Sequence, residues 1–415
     1  MDNLWQHTCG ETFNATSLTC SHTTEVLVIG GGFTGCSAAL KAAELGADVT
    51  LLEAETIGHG GSGRNVGLAN AGLWLPPDDV CNAMGQVTGA RLNHVLAGGP
   101  DQVFAMIAKH DIQCDATRNG TLHLAHSAKG VEQLKARLTQ FKQQGAPVTM
   151  LDQLETRKRT GSDLFYAALH DRRAGTIQPL AYAKGLARAA TAAGVKLYEN
   201  TAVLGLENTG EQWIATTADG TVKANSLLLA TNAYHAHFKT LNLPTTSTVH
   251  YFQIATEPLT PQQLQTILPG REGAWDTALI MTSFRLDAAG RLLIGGMGAG
   301  GAVHSNWAKR KLAKMFPSLV RTEISHCWSG RISMTADHLP RIMKLAPNSY
   351  SIFGYSGRGI SPGTVFGTAT AQAILNSDPA GLPVPVCEDY SEWSPGLKSV
   401  FYEAGASAVH FSGAR

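Results

Sequence analysis

Three glycines near the start of the chain stand where a phosphate-binding turn needs them. Gly30, Gly32 and Gly35 form the pattern G-x-G-x-x-G directly after the apolar run Val26–Ile29. In such a turn the first glycine permits a sharp bend, the second lets a pyrophosphate approach the backbone, and the third lets a helix pack closely on a strand. Glu53 follows 18 residues after Gly35, where a carboxylate can accept both hydroxyls of an adenosine ribose. This spacing predicts a dinucleotide site that disfavours a 2′-phosphate.

The elements around these residues form a strand–helix–strand unit. Residues 25–30 indicate a buried strand, and Phe33–Leu45 carries small and apolar residues at helical spacing. Gly46 is a typical helix stop, and Asp48–Glu53 is a second short strand. The free N–H groups of the helix and the positive end of its dipole would face the phosphates.

Later segments indicate a second type of structure inserted into this α/β fold. Pro179 predicts the first turn of a helix, and Asp219-Gly220 predicts a hairpin turn. From His250 onward the sequence becomes rich in strands with turn signals between them. We therefore expect a Rossmann-like nucleotide-binding domain with an inserted α+β domain built on an antiparallel sheet.

A second glycine-rich loop, "GGSGRNVG" at residues 60–67, follows the acidic strand. Together with Val28–Glu53 it resembles the FAD-dependent amine oxidoreductases of the D-amino-acid-oxidase superfamily, and the γ-glutamylputrescine-oxidase-like members in particular. The resemblance extends along nearly the whole chain. The blocks that carry it are "LWQHT", "GTIQPLAYAKGLARAA", "LLLATNAY", "SFRLDAAGRLLIGG", "CWSGRISMTADHLPRI" and "FGYSGRGISPGTVFG".

The resemblance implies a set of residues that hold FAD. The three glycines and Glu53 would bind the ADP half, residues 62–65 would line the pyrophosphate and the flavin ring, and Val203 would contact adenine. The full implied set is Gly30, Gly32, Phe33, Thr34, Gly35, Glu53, Ser62, Gly63, Arg64, Asn65, Val203, Thr231, Asn232, Gly357, Arg358, Gly359 and Ile360.

Arg358 has a specific implied role at the pyrimidine edge of the flavin. Reduced flavin gains negative charge at N1 and the C2 carbonyl, and a guanidinium together with a helix N-terminus would stabilise that charge. Relatives often carry His at this position. Arg358 supplies a permanent positive charge, which fits the same task.

The resemblance also indicates how FAD is attached. Sarcosine-oxidase relatives form a covalent bond through a Cys seven residues before the Asp of a T-x-D motif. That Asp is Asp337 here, so the position is Gly330, and Cys327 does not match it. Dimethylglycine-dehydrogenase relatives use a His where this chain has Asn65. We expect non-covalent FAD.

The positions that usually bind a substrate carboxylate point to an amine. Amino-acid-oxidising relatives use an Arg five residues before the same Asp, and this chain has Ile332 there. Sarcosine-oxidase relatives use a Lys where this chain has Ser361. A desolvated α-carboxylate needs a cationic partner, so the resemblance implies a primary or secondary amine without one. Arg331 is adjacent and could take over as the anchor.

The implied reaction is hydride transfer from the amine carbon to flavin N5, followed by hydrolysis of the imine to an aldehyde or ketone. A mostly apolar pocket would keep the amine neutral without a dedicated base. The expected pocket and catalytic residues are Arg358, Tyr251, Arg331, His250, Trp74 and Phe284, with Gln253 beside them. The electron acceptor is O2 or another acceptor. Residues 240–308 contain no Lys, which favours a dehydrogenase or a slow oxidase.

The predicted division of the chain is discontinuous. Residues 1–23 form an N-terminal arm, and residues 24–89, 161–238 and 327–380 form the FAD-binding domain. Residues 90–160 and 239–326 form the substrate domain, and residues 381–415 form a C-terminal tail.

Composition excludes several other classes of protein. The formal net charge is +1 and no basic run suggests nucleic acid. No apolar run reaches the length of a transmembrane segment, and the N-terminus lacks the features of a signal peptide. The seven Cys form no C-x-x-C pair, and no His is placed as a metal ligand, so we expect a cytoplasmic protein without a metal.

Three alternatives stay open beside the amine reading. One is an FAD-dependent oxidase or dehydrogenase of D-amino acids or proline-type amino acids, with Arg331 as the carboxylate anchor. Another is an FAD-bound protein with a structural or sensor role. The last is an NAD-dependent dehydrogenase, against which the second glycine loop argues.

Overall fold

The structure is a computed structural model that describes residues 3–236, 238 and 241–412. The elements of the first half are α1 (Leu4–His7), β1 (His22–Ile29), α2 (Phe33–Glu44), β2 (Val49–Leu52), β3 (Leu68–Ala69), α3 (Pro77–Met84), α4 (Gln86–Ala97), α5 (Gly99–Lys109), β4 (Thr121–Ala125), α6 (Ala128–Gln143), β5 (Val148–Leu151), α7 (Gln153–Thr160), β6 (Ala167–Asp171), β7 (Gly175–Thr176), α8 (Pro179–Ala192) and β8 (Lys196–Tyr198).

The second half continues with β9 (Gly205–Asn208), β10 (Trp213–Thr216), β11 (Thr221–Leu229), β12 (Ser247–Pro258), α9 (Pro261–Leu264), β13 (Gly273–Asp276), β14 (Ser283–Leu286), β15 (Arg291–Met297), α10 (Ala302–Met315), β16 (Ile324–Met334), β17 (Arg341–Ala346), β18 (Ser349–Phe353), α11 (Ile360–Asn376), β19 (Val386–Cys387) and α12 (Pro395–Ser412). Short 3₁₀ turns lie at Gly61–Gly63, Asn232–Tyr234, Pro317–Leu319 and Pro379–Gly381.

The first sheet has a parallel centre, as the sequence predicts for a Rossmann-like domain. Its strand order is β19-β17-β18-β11-β1-β2-β8, and the pairs from β18 to β8 are all parallel. Strand β1 is buried on both faces, because Val26 and Val28 contact one core while Leu27 and Ile29 contact another. Such double burial explains why this strand reads as a continuous apolar run.

Helix α2 lies against the first sheet, where it contacts α8 and α11. Small residues allow this close packing, since a Cβ on Gly367 of α11 would overlap the carbonyl of Thr34. Helix α8 begins at Pro179, a position in the first turn where a backbone N–H would have no partner within the helix. The Gln178 side chain caps the helix by accepting from the Ala181 N–H at 2.7 Å. Both features match the helix starts expected from the sequence.

The second sheet is antiparallel apart from one pair, which confirms the expected architecture. Its order is β16-β12-β15-β14-β13-β4-β6-β5, and β13 runs parallel to β4. Its core is apolar and includes Phe252, Ile254, Phe284, Ile294 and Trp307, the last of them from α10. The fold class is therefore the predicted one, a Rossmann-like domain joined to an antiparallel sheet.

The sheets divide the chain somewhat differently from the predicted domains. Strands β6 and β16 pair within the second sheet, although most of their residues were assigned to the FAD-binding domain. Helices α4 and α5 instead place Leu92, Leu96 and Val103 in the core of the first sheet. Interstrand pairing, which chain order does not reveal, causes the first difference, and packing of the two helices on the first core causes the second. The exact boundaries stay a prediction, and the one placed at 238/239 adjoins residues 237, 239 and 240, which lie outside the described residues.

Across the part of the chain that the structure describes, no helix combines the length and the apolarity needed to cross a membrane.

Candidate active site

A cavity of about 1010 Å³ is lined by loops of the first sheet and strands of the second. This volume is at the upper end of the range that is usual for small-molecule sites. Most of the predicted FAD and substrate residues lie on its wall. They are Gly30, Gly32, Phe33, Thr34, Glu53, Ser62, Arg64, Asn65, Trp74, Val203, Thr231, Asn232, Tyr251, Gln253, Arg331, Gly357, Arg358, Gly359 and Ile360.

The glycine turn between β1 and α2 forms one end of the cavity. Gly30 has a φ of 109°, a conformation that residues with a Cβ rarely adopt. Gly35 lies behind the wall, and a Cβ there would overlap the carbonyl oxygen of Gly30. The turn therefore brings the N-terminus of α2 to the cavity wall, which is the arrangement that a pyrophosphate needs.

Glu53 stands at the end of β2 beside this turn. Its carboxylate accepts from the backbone N–H of Gly31 at 2.6 Å and from that of Glu55 at 3.0 Å. Burial raises the pKa of Glu53, and the two hydrogen bonds oppose that rise. Each carboxylate oxygen keeps further acceptor capacity toward the cavity, as the predicted contact with ribose hydroxyls requires.

The second glycine loop is braced by its own side chains. Ser62 Oγ accepts from the N–H of Phe33 at 3.1 Å, which ties the loop to the start of α2. Asn65 Nδ2 donates to the carbonyls of Gly61 and Ser62 at 3.0 and 2.8 Å. These contacts use side chains that the sequence assigned to the cofactor. Only part of their hydrogen-bonding capacity is left for a ligand.

Arg64 and Gly63 also act within the loop. The Arg64 guanidinium donates to the carbonyls of His59 at 2.7 Å and Ser329 at 3.2 Å, so it fastens the loop to β16. Gly63 lies behind the cavity wall, where a Cβ would overlap the carbonyl of Gly58.

The N-terminal arm donates hydrogen bonds to the same loop, a contact that the sequence did not predict. Asn3 Nδ2 donates to the Gly63 carbonyl at 2.9 Å, and Trp5 Nε1 donates to the Asn65 carbonyl at 2.8 Å. Trp328 of β16 donates to the intervening Arg64 carbonyl at 2.9 Å. The two indole rings meet edge to face with centroids 5.9 Å apart. Three consecutive carbonyls of the loop thus accept hydrogen bonds, two from the N-terminal arm and one from β16.

The loop after β11 forms a further wall. Asn232 Oδ1 accepts from the Gly354 N–H at 3.0 Å, which joins this loop to the turn after β18. Tyr234, which the prediction did not include, stacks against the Arg331 guanidinium at 4.2 Å from its ring centroid. Its hydroxyl accepts from the backbone N–H of Arg331 at 3.1 Å. The Arg331 side chain is exposed and lies on this ring.

The turn before α11 carries Arg358. Its guanidinium carbon lies 4.4 Å from the ring centroid of Trp275, and burial lowers the pKa of Arg358 to about 9. The group therefore stays cationic at neutral pH. Tyr355, also missed, bonds Thr34 through the two hydroxyls at 2.7 Å and so couples this turn to the start of α2. Two helix N-termini and the Arg358 guanidinium thus meet at the same cavity.

The second sheet and α12 form the wall opposite the glycine turns. Tyr251 faces the cavity, but its hydroxyl bonds Ser283 Oγ at 2.9 Å and the Gly295 carbonyl at 3.2 Å. Burial raises the pKa of Tyr251, so its hydroxyl stays protonated at neutral pH. Trp74 lies beside His338 with centroids 4.7 Å apart. The residues from α12 are Phe401, Tyr402, Gly405, Ala406 and Val409.

Two expected pocket residues are wrong. Phe284 is fully buried in the core of the second sheet, with Phe165 and Phe316 as ring neighbours, while Ser283 faces the cavity. His250 lies off the cavity wall with its ring 3.9 Å from the Glu403 carboxylate. Successive residues of a strand point to opposite faces, so Tyr251 and His250 cannot both face the cavity.

The two positions where relatives hold a carboxylate carry no charge here. Ile332 lies on the cavity wall as an aliphatic side chain. Ser361 is buried within α11 and off the wall, so close to α5 that a Cβ on Gly99 would stand 2.8 Å from Ser361 Cβ. The spacing of sequence motifs had pointed to both Ile332 and Ser361. The sequence contained no signal for the α12 residues, whose approach to the cavity depends on the distant packing of the C-terminal segment.

Comparison with known proteins places the chain among flavoenzymes. The family model described as FAD dependent oxidoreductase (DAO) matches residues 25–373. The probable oxidoreductase OrdL of Rhizobium meliloti (strain 1021) is 31% identical over 367 residues, covering 86% of this chain and 84% of that protein. The gamma-glutamylputrescine oxidoreductase of Escherichia coli (strain K12) is 32% identical over 368 residues, covering 86% and 84%.

Solved structures support the fold. Glycine oxidase from Geobacillus kaustophilus has a TM-score of 0.74 at 19% identity, covering 87% of this chain and 97% of that chain. L-proline dehydrogenase from P. horikoshii has a TM-score of 0.72 at 20% identity, covering 88% and 96%. At this level of identity the likeness concerns the fold alone.

Proposed function

The chain belongs to the DAO family of FAD-dependent oxidoreductases, and on that premise we propose that it oxidises a primary or secondary amine. The chemistry that FAD supplies when bound is acceptance of a hydride from the amine carbon at flavin N5, which leaves an imine that hydrolyses to an aldehyde or ketone. The named activity of the Escherichia coli relative supports an amine substrate. Residues of the cavity wall supply the binding and electrostatic parts of the reaction.

The cavity fits FAD by the chemistry of its wall. The glycine turn and the start of α2 offer backbone N–H groups for a pyrophosphate, and Glu53 offers acceptors for ribose hydroxyls. Arg358 and the N-terminus of α11 supply positive charge in one turn, which suits an electron acceptor that becomes anionic on reduction. These groups would hold the cofactor without a covalent bond.

The observation that carries the amine assignment is Ile332. It occupies the cavity wall where a carboxylate would need a cation, while the neighbouring Arg331 is exposed and stacked on Tyr234. An α-carboxylate buried against an isoleucine would lose its hydration with no compensating partner. A substrate without that carboxylate incurs no such cost.

The same wall favours the neutral form of an amine. Among the described lining residues, acidic side chains occur only at Glu53 and Glu55, beside the glycine turn. The rest of the wall is largely apolar and carries the cationic Arg358. Burial and a like charge both lower the pKa of an ammonium group, so the reactive free base is favoured without a dedicated base.

The electron acceptor is O2 or another acceptor. None of the described residues that line the cavity is a lysine. This arrangement supports slow reaction with O2 and favours a second acceptor.

A second candidate is oxidation of an amino acid with Arg331 as the anchor. Its support is that Arg331 lines the cavity and lies next to Ile332. Its guanidinium is stacked face-on on the Tyr234 ring, which leaves its N–H edge able to donate to a carboxylate. The two candidates therefore differ in what removal of Arg331 does.

An anaerobic mixing experiment on the FAD-loaded protein distinguishes them. Each amine in the panel is paired with the α-amino acid that decarboxylates to it, and flavin absorbance is followed. We expect the amines to bleach the flavin and their amino-acid partners to bleach it at least 100-fold more slowly, as a desolvated unpaired carboxylate costs about 3 kcal/mol or more.

Variants at the two neighbouring positions sharpen the result. Ile332→Arg should gain bleaching by amino acids, whereas the volume-matched Ile332→Leu should not. Arg331→Ala should leave bleaching by amines within about threefold of the native rate. Bleaching by amino acids that Arg331→Ala abolishes would establish the second candidate, and bleaching by neither panel would refute both.

A further inference from the structure

Helix α12 presents an apolar stripe to solvent. Six residues define this stripe, and all are exposed: Leu397, Val400, Phe401, Ala404, Ala408 and Phe411. At 3.6 residues per turn they fall within an arc of roughly 100° on the helix surface. Leu397, Val400, Phe401 and Phe411 are 69%, 67%, 75% and 83% exposed. A surface helix normally turns such a face toward the core.

The opposite, polar face of α12 holds the helix to the protein. Lys398 pairs with the buried Glu392 at 3.2 Å, and Glu403 accepts from the Ala299 N–H at 2.9 Å. His410 is fully buried, stacks on Trp307 at 4.0 Å and meets His304. The helix is therefore anchored through Lys398, Glu403 and the buried His410, and its apolar stripe is left outward.

We propose that the stripe is the interface between two copies of this chain. The positions of five of its six residues fit an antiparallel pair of α12 helices related by a two-fold axis at Ala404. Leu397 and Phe411 lie seven residues on either side of Ala404, and Val400 and Ala408 lie four residues on either side. In that pair Leu397 meets Phe411 of the second copy, Val400 meets Ala408, and the two Ala404 residues meet each other. A two-fold interface requires this kind of self-complementarity.

The size of the exposed surface suits a dimer. Phe401 and Phe411 alone expose on the order of 300 Å². The other four stripe residues, all exposed, extend this surface along the helix. The stripe therefore reaches the upper end of the apolar patches of a few hundred Å² that monomers leave exposed, and it can form the apolar centre of an interface of roughly 800 Å² per partner. Small Ala404 at the centre allows the helices to approach closely.

Charge argues for a second copy over a lipid surface. Helices that lie on membranes carry Lys and Arg on the flanks of their apolar face. The one Lys of α12 is turned to Glu392, and the stripe itself carries no charge. An uncharged, self-complementary stripe suits its own copy better than an anionic membrane.

Dimerisation would also complete the cavity. Phe401 belongs to the stripe and lines the cavity at the same time. A second copy seated on the stripe would cover the outer face of that wall. The proposal concerns the assembly and holds whichever amine or amino acid the enzyme oxidises.

Sedimentation velocity of the FAD-loaded full chain tests the proposal. We expect a dimer at micromolar concentration. Ala404→Arg, which sets two like charges face to face at the axis, should shift the chain to monomer with at least a 100-fold weaker dimer constant. Val87→Arg is the matched control, because Val87 is 86% exposed on a different helix, and it should stay dimeric. Flavin absorbance and circular dichroism check that each variant is folded.

A cross-linking variant tests the axis directly. On a background in which the exposed Cys20 is replaced by Ser, Ala404→Cys should form a reducible covalent dimer with copper phenanthroline, and the Cys20→Ser chain alone should not. A native chain that stays monomeric would overturn the proposal, as would a dimer unaffected by Ala404→Arg. Binding of a monomeric chain to phosphatidylserine vesicles through the stripe would also overturn it, in favour of a membrane surface.

Discussion

Arg358 combines burial with a charge that the reaction can use. Its guanidinium lies over Trp275, and burial lowers its pKa to about 9. We expect Arg358→Met to slow flavin reduction by amine about 10- to 100-fold and to lower the flavin potential, because a positive charge beside the reduced cofactor is lost. Arg358→Lys should keep most of the rate. Anaerobic stopped-flow spectroscopy and a potentiometric titration measure both effects.

The pH profile follows from the same residue. Burial lowers the pKa of Arg358 to about 9, so we expect the rate of the native enzyme to fall as the pH rises through about 9. Between about pH 9 and 12.5 the unfolded chain binds more protons at Arg358 than the folded chain does, because the pKa of this group is lowered on folding. The free energy of unfolding contributed by Arg358 therefore rises with pH through that range. The exposed Arg321→Met is the control and should retain the falling limb. A native rate that is flat across pH 9 would contradict this role.

Residue-level prediction worked where a local pattern carries the geometry. The sequence placed Gly30 and Gly35 correctly at a turn because strand, turn and helix are contiguous there. It failed for Phe284 and His250, since choosing adjacent residues ignored the two-residue period of a strand. Contacts such as Arg358 with Trp275 join residues far apart in the chain, and no local pattern reports them. The chemical roles of the site residues stay predictions.

The N-terminal arm is an element whose effect reaches the cofactor loop. Trp5→Phe removes the donor to the Asn65 carbonyl and leaves that acceptor unsatisfied, which costs about 1–3 kcal/mol. We expect a lower melting temperature and at least fivefold weaker retention of FAD, measured by flavin fluorescence on dilution. Trp393→Phe is the matched control, because Trp393 is 82% exposed. Equal effects of the two variants would show that the arm does not support the loop.

Helix α12 should loosen in acid. Burial lowers the pKa of His410 to about 4; His304 and Arg310 contact this residue, and Glu403 contacts His304. Since the unfolded residue binds its proton near pH 6.5, the stability linked to neutral His410 is present above pH 6.5 and is lost as pH falls toward 4. We expect the free energy of unfolding in urea to fall by about 1–2 kcal/mol more between pH 7 and 5 in the native chain than in His410→Gln.

The control for this loss is a histidine away from α12. His94→Gln changes an exposed residue of α4 and should keep the native pH dependence. If His410→Gln loses the same free energy as the native chain between pH 7 and 5, another group is responsible.

At the scale of elements, long and regular segments were predictable. The α2 and α8 starts, the buried β1 strand and the strand-rich second half all follow from period and capping signals. The strand order of the second sheet did not follow, because β4, β5 and β6 come from the first half of the chain and β12 to β16 from the second. Pairing across such distances depends on the tertiary fold.

For the whole molecule, the wall chemistry indicates a dissociable cofactor. Gly330 stands at the usual cysteine attachment position, and none of the described residues that line the cavity is a cysteine. We expect acid precipitation to release all of the flavin into the supernatant, where absorbance at 450 nm quantifies it. Flavin that stays with the pellet would point to a covalent bond, with His59 and His338 of the wall as the residues to examine by peptide mapping.

The cavity wall also sets the order of events during synthesis. It begins near Ile29, includes residues 201–203 and 230–232, continues through the turn at Tyr355–Ile360 and closes only with α12, between Phe401 and Val409. A ribosome adding about 5–20 residues per second needs roughly 20–70 seconds to reach that turn. The nascent chain therefore has an incomplete nucleotide cleft until late in translation. Binding of FAD depends most on the flavin that is available when the chain leaves the ribosome.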